Sequence, residues 1–232
     1  MMALTKAVDA LEADPAVRVL IVTGAGNAFC AGLDLKELGA GGMKVGQVAG
    51  SAEATPRGMR DPVRALERFT GPIIGAINGA AATGGFELAL ACDVLLASPN
   101  ARFADTHARI GVMPGWGLSQ KLSRAVGQYR AREISLTGNW VSAEQAEKWG
   151  FVNRVVPADE LMAAARQLAT DMLGTIPEML VNYKAVLNEG FAMSFGDGMK
   201  LERARADTYN SQVTADGIES RREGVRARNR GA

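Results

Sequence analysis

Glu87 stands two residues beyond a Gly84–Gly85 pair, inside the run NGAAATGGFELALACD from Asn78 to Asp93. The run follows a strand-like stretch, Pro72 to Ile77. It then becomes a helix that is apolar nearly all round, with Phe86, Leu88, Ala89, Leu90, Ala91 and Cys92. A helix of that kind is normally buried. Its first N–H groups lack intrahelical partners and point out of the partly positive end. Two glycines leave those donors bare. Such a start can hold an oxyanion, and a carboxylate in the first turn can move a proton beside it. Both features have a plainer reading as well. An acid in a first turn suits the helix dipole, and a Gly-Gly pair permits close packing.

His107 is the only histidine of the chain. An unperturbed imidazole changes charge near pH 6.5, which suits acid/base work, although a lone histidine is more often structural. Asp105 lies two residues earlier, and on an extended segment it would share the His107 face. Cys30 and Cys92 read as small reduced core residues, since nothing visible lowers the thiol pKa. Gly24-x-Gly26 begins like a dinucleotide loop, but the third glycine of that fingerprint would fall at Phe29, so that reading is rejected. Met113 and Trp116 can line a pocket or simply pack.

A chain of 232 residues, 47% hydrophobic, fits one large domain or a domain with a helical appendage. With 26 basic against 25 acidic residues there is no global field for nucleic acid or a membrane surface. No apolar run reaches membrane-spanning length, no signal peptide is evident, and a cytoplasmic protein is expected. The C-terminal arginines from Arg221 to Arg230 read as a solvated helix face.

The elements that must position the chemistry follow from periodicity and breakers. Met2 to Ala13 predicts an amphipathic helix, stopped by Asp14-Pro15. Val17 to Thr23 predicts a buried parallel strand. Gly39 to Gly58 is rich in small residues and predicts a mobile segment over the site. Pro62 to Phe69 predicts a helix. Pro72 to Ile77, Val94 to Ser98, Arg102 to Ala104 and Phe151 to Val156 predict strands. Asp105 to Gly117 reads as an irregular loop. Helices are expected at Leu118 to Val126, Tyr129 to Leu136, Ala143 to Trp149, and from Asp159 onward, with breaks at Pro177 and Gly190 to Gly198.

Four blocks occur in order: FCAGLDL (Phe29 to Leu35), NGAAATGGFELALACD, ARFADTHARIGVMPGWG, and SAEQAEKWGFVNRVV (Ser142 to Val156). Together they resemble the crotonase family, also called the enoyl-CoA hydratase/isomerase family, over almost the whole chain. The resemblance implies an α/β chain with the ClpP/crotonase-like fold of repeated ββα turns. Residues 1–156 would form the core, and 157–232 a helical C-terminal region for assembly into homotrimers, often paired into hexamers. It implies an acyl-CoA thioester substrate, with coenzyme A entering only as part of that substrate. No metal, other cofactor, nucleic acid or membrane partner is expected. It implies an oxyanion hole from the N–H groups of Leu33 and Gly84. Ala31, Asp34, Leu35, Thr106 and Gly115 would border the substrate and its CoA chain.

The family's hydratases use two glutamates. One matches Glu87. The second falls on His107, so one carboxylate is replaced by an imidazole. Family members also usually begin with a strand and an adenine-wrapping loop that precede the first helix here. The expected activity is enoyl-CoA hydration, with Glu87 and His107 catalytic. An isomerase or other one-carboxylate enolate chemistry is the first alternative, and a catalytically weak acyl-CoA-binding paralogue is the second.

Overall fold

The computed structural model describes residues 2–32 and 61–230. The segment predicted to be mobile, Gly39 to Gly58, lies outside the described residues. By its contacts the chain divides into two compact units, Met1–Val181 and Asn182–Ala232.

The first unit is built on two four-stranded sheets. One has the order β1 (Leu20–Thr23), β3 (Ile73–Ile77), β5 (Val94–Ala97), β8 (Arg154–Val155), all parallel. The other has the order β2 (Ala28–Cys30), β4 (Ala80–Ala82), β6 (Arg102–Ala104), β7 (Val141–Ser142), with only β7 antiparallel. Each of β1, β3 and β5 is followed directly by a strand of the second sheet. Helix α3 (Gly84–Ala89) follows β4, and α4 (His107–Ile110) follows β6. This is the expected repeated ββα turn.

β3 shows why the apolar runs become strands. All five of its residues are buried. Side chains alternate between faces with period two. Ile74 and Ala76 pack with Leu96 against Leu161 and Ala165 of α8 (Leu161–Leu173). Ile73 and Ile77 face the main core with Phe86 and Phe103. A strand covered on both faces has to be apolar throughout. Each fully buried isoleucine stabilises by about 1.5–3 kcal/mol relative to exposure.

Phe86, Phe103 and Phe151 meet with ring centroids 5.0–5.5 Å apart. They pin α3, β6 and the chain before β8 to one point beneath the helix that carries Glu87. Asn78, read from sequence only as a polar break, ties three turns together. Its Oδ1 accepts from the Gly24 N–H at 3.0 Å, and its Nδ2 donates to the Gly26 and Ala28 carbonyls at 2.9 and 3.3 Å. The Ser98 hydroxyl donates to its backbone carbonyl at 3.0 Å.

Several expectations are corrected. α3 is shorter than predicted and ends at Ala89. Asp105 to Gly117 is not wholly irregular, because α4 occupies His107–Ile110 and closes on Gly111 at φ +73°. β2, β4 and β7 were not expected. They are two or three residues long, and alanine carries little strand preference.

Helix α1 (Met2–Glu12) and α2 (Pro62–Arg68) match their predictions within a residue or so. So do α5 (Leu118–Val126), α6 (Gln128–Thr137) and α7 (Ala143–Trp149). Beyond α8 the chain stays helical through α9 (Pro177–Phe191), α10 (Phe195–Asn210) and α11 (Ala215–Arg230). No residue of α9 or α10 is buried. Among the described residues no helix is long and apolar enough to cross a membrane. Both cysteines are half-buried, and neither forms a disulfide among the described residues.

Candidate active site

β4 runs into α3 through Thr83, which holds φ +52° and ψ −113°. Among the described residues no other non-glycine residue has a positive φ. Such backbone costs about 1–3 kcal/mol and persists only where its surroundings enforce it. Two bonds do so here. The Thr83 N–H donates to the Ala104 carbonyl at 2.9 Å. The Thr83 and Thr106 hydroxyls hydrogen-bond each other. The Thr83 carbonyl accepts from the N–H groups of Phe86 and Glu87, each at 3.0 Å. Among the described residues no backbone carbonyl accepts from the Gly84 N–H.

The two glycine-bearing loops converge on this point. Gly32 has φ +91°, and a Cβ on it would lie 3.0 Å from the Ala82 carbonyl oxygen and 3.5 Å from the Gly84 nitrogen. A Cβ on Gly85 would lie 1.9 Å from the Cys30 carbonyl oxygen, and one on Gly84 would lie 3.0 Å from Cζ3 of Trp116. Gly85 is therefore required by main-chain approach and Gly32 is favoured by its positive φ, whereas a side chain at Gly84 would need the Trp116 ring to yield. The next residues of the first loop, Leu33, Asp34 and Leu35, lie outside the described residues. Ala31 is exposed at the end of β2.

Glu87 is 2% exposed. Its Oε1 accepts from the backbone N–H of Trp116 at 2.8 Å and of Leu118 at 3.4 Å, at the entry to α5. Its Oε2 lies 3.7 Å from His107 Nε2, too far for a hydrogen bond. The other imidazole nitrogen, Nδ1, is 2.7 Å from Asp105 Oδ1. The same Oδ1 accepts from the His107 backbone N–H at 3.1 Å. Asp105 therefore reaches the ring through a tight turn into α4, not through the extended alternation expected from sequence. Asp105, His107 and Glu87 form one buried line of groups.

Burial pushes the Glu87 carboxyl above its ordinary value. The N–H groups of Trp116 and Leu118 and the nearby His107 offset this only in part, and Asp105 adds to the rise. Burial would also raise Asp105, but bonds from His107 and the Ser135 hydroxyl outweigh it and hold its carboxyl low. The sign for Glu87 follows by linkage. Its contribution to stability is present below the ordinary value of 4.5 and lost as pH rises through the folded value. Glu87→Gln should therefore melt higher than wild type near neutral pH. That margin should shrink as pH falls toward 4.5, as read by calorimetric Tm against pH. An equal Tm at every pH would contradict it.

The remaining expected site residues are placed as follows. Thr106 is half-buried and its hydroxyl is spent on Thr83. Gly115 is exposed beside Trp116. Trp116 is buried, and its indole Nε1 has no hydrogen-bond partner among the described residues. Met113 is exposed, which removes it from the core. The partners of Glu87 escaped sequence reading because they are backbone groups. Thr83 escaped because nothing in a threonine announces a positive φ. A cavity of about 310 Å³ lined by Glu12, Arg18, Thr70 and Glu178 holds none of these groups.

A family profile described as enoyl-CoA hydratase/isomerase matches residues 1–227. The chain is 43% identical over 233 residues to "Probable enoyl-CoA hydratase 1, peroxisomal" of Arabidopsis thaliana, covering 98% of this chain and 83% of that one. It is 36% identical over 200 residues to a probable enoyl-CoA hydratase of Mycobacterium bovis, covering 86% and 75%. A crystal structure of enoyl-CoA hydratase from Bacillus anthracis superposes with TM-score 0.83 at 33% identity, covering 99% of this chain and 84% of that one.

Proposed function

Because the chain belongs to the enoyl-CoA hydratase/isomerase family, we propose that it adds water across the double bond of a 2-enoyl-CoA, with Glu87 and His107 as its two acid/base groups. The observation that carries this reading is Glu87 Oε2 facing His107 Nε2 at 3.7 Å, one turn beyond Gly84. Two proton-handling groups on one reacting centre suit hydration. An isomerase needs only one.

The thioester oxygen accepts from the N–H groups of Gly84 and Leu33. Glu87 takes a proton from water as the oxygen of that water bonds to the β-carbon. A carboxylate whose pKa is raised is a better base for this step. Charge moves onto the thioester oxygen and is held there by preorganised donors, each worth about 3 kcal/mol in comparable holes. His107, carrying protons on both ring nitrogens at this point, then gives its Nε2 proton to the α-carbon, and the enolate collapses to the 3-hydroxyacyl thioester, leaving a neutral ring with Nδ1–H. Glu87 returns its proton to His107, which restores both groups. Ala31, Asp34, Leu35 and Gly115 border the substrate. Thr106 acts through Thr83.

We also read the protein as a homotrimer or a pair of trimers. Tyr183, Leu187, Phe191 and Phe195 are exposed on α9 and α10, and apolar side chains gathered on helices with no buried residue call for a partner. We propose the cytoplasm as its compartment. A peroxisomal address, as named for the Arabidopsis relative, is the competing one.

The test is hydration of crotonyl-CoA by the purified protein and by His107→Ala. Turnover should be measurable in the first and lower by about 10²–10⁴-fold in the second. Equal turnover in both would remove His107 from the chemistry.

A further inference from the structure

We propose that Asp105 is a positioning residue that locks the His107 ring with its proton on Nδ1 and so reserves Nε2 for exchange with Glu87. This rests on the acid/base reading of His107 given above.

A neutral imidazole has two tautomers, and the hydrogen bond made by one nitrogen decides the state of the other. Nδ1 lies 2.7 Å from Asp105 Oδ1. A carboxylate held low in pKa is a pure acceptor, so the proton between them sits on Nδ1. The lone pair of a neutral ring is then on Nε2, the nitrogen that faces Glu87. With the opposite tautomer, Nε2–H would face Glu87 and could not receive its proton.

The clamp is built twice over. Asp105 Oδ1 also accepts the His107 backbone N–H, which fixes the ring's own main chain relative to the carboxylate. The Ser135 hydroxyl of α6 holds Asp105 from behind. Asp105 and His107 are 2% and 6% exposed, so water competes little for either bond. Among the described residues, the titratable group facing the ring from another element is Glu87 of α3. Asp105 does not reach the reacting atoms and acts only through His107.

The single histidine makes the test direct, because a nitrogen-15 histidine spectrum reports His107 alone. In the intact wild-type protein, at a pH where the ring is neutral, the spectrum should show Nδ1 protonated and Nε2 bare. In Asp105→Ala the neutral ring should redistribute toward Nε2–H. The kcat for 2-enoyl-CoA hydration should fall on the order of 10–100-fold with KM little changed, the usual scale for losing an orienting partner of a functional imidazole. If Asp105→Ala does not fold, Asp105→Val fills more of the space, removes the acceptor for Nδ1–H and should show the same shift of tautomer and the same loss of kcat.

A wild-type ring protonated on Nε2 would overturn the proposal with no variant needed. So would a folded Asp105 variant with unchanged tautomer and unchanged kcat. A wild-type Nδ1–H ring together with full turnover in His107→Ala would refute the acid/base reading instead, while supporting the lock itself.

Discussion

Glu87→Gln should lower enoyl-CoA hydration by about 10²–10⁴-fold, the usual cost of losing one positioned acid/base group. The substitution keeps the side-chain length. The amide oxygen can still accept from the N–H groups of Trp116 and Leu118, now held at 2.8 and 3.4 Å. The packing of α3 and the start of α5 should therefore persist, and KM should change little. What disappears is the carboxylate oxygen 3.7 Å from His107 Nε2, which in the proposed mechanism exchanges a proton with it. Ultraviolet loss of the conjugated enoyl thioester, followed in steady state, reads the result. Retained turnover would mean that Glu87 merely satisfies two backbone donors. The higher Tm expected of the same variant separates loss of chemistry from loss of fold.

Gly85→Ala should damage both stability and turnover. Its added Cβ would sit 1.9 Å from the Cys30 carbonyl oxygen and 2.7 Å from the carbonyl carbon. Both are backbone atoms, so no side chain can swing aside. Either β2 or α3 must shift. Overpacking usually costs about 1–3 kcal/mol, and a clash with main chain belongs at or above the top of that range. The shift would carry the Gly84 N–H and Glu87 together away from the substrate. Misplacement by about 1 Å can cost about 10²-fold in rate. Denaturant midpoints give the first quantity, and kcat of the remaining folded protein the second. A variant with wild-type midpoint and rate would show that β2 and α3 can separate at this point without cost.

Legibility in the sequence followed the reach of side-chain pattern. β1, β3 and β5 could be read because strands covered on both faces must be continuous in valine, isoleucine and leucine. β4 is three alanines, and its strand state comes from pairing with β2 and β6 and from the Asn78 bonds, none of which is local. α4 has four residues, too few to show a period. Glu87 and His107 were singled out by their place in the family's blocks, and the fold brings them within 3.7 Å of each other. The Asp105 contact was anticipated, but through the wrong backbone. A turn, not an extended strand, brings the carboxylate to Nδ1. Leu33, Asp34 and Leu35 lie outside the described residues, so the first loop can be followed only to Gly32.

The tight seating of Gly85 against Cys30 also bears on how this chain can change over time. The approach of β2 to α3 at Gly85 is fixed by main-chain atoms, and under the proposed mechanism it would set the end of the pocket that meets negative charge. Under that reading, substitutions that reshape the room for an acyl tail would leave this approach undisturbed, and one scaffold could come to serve different substrates.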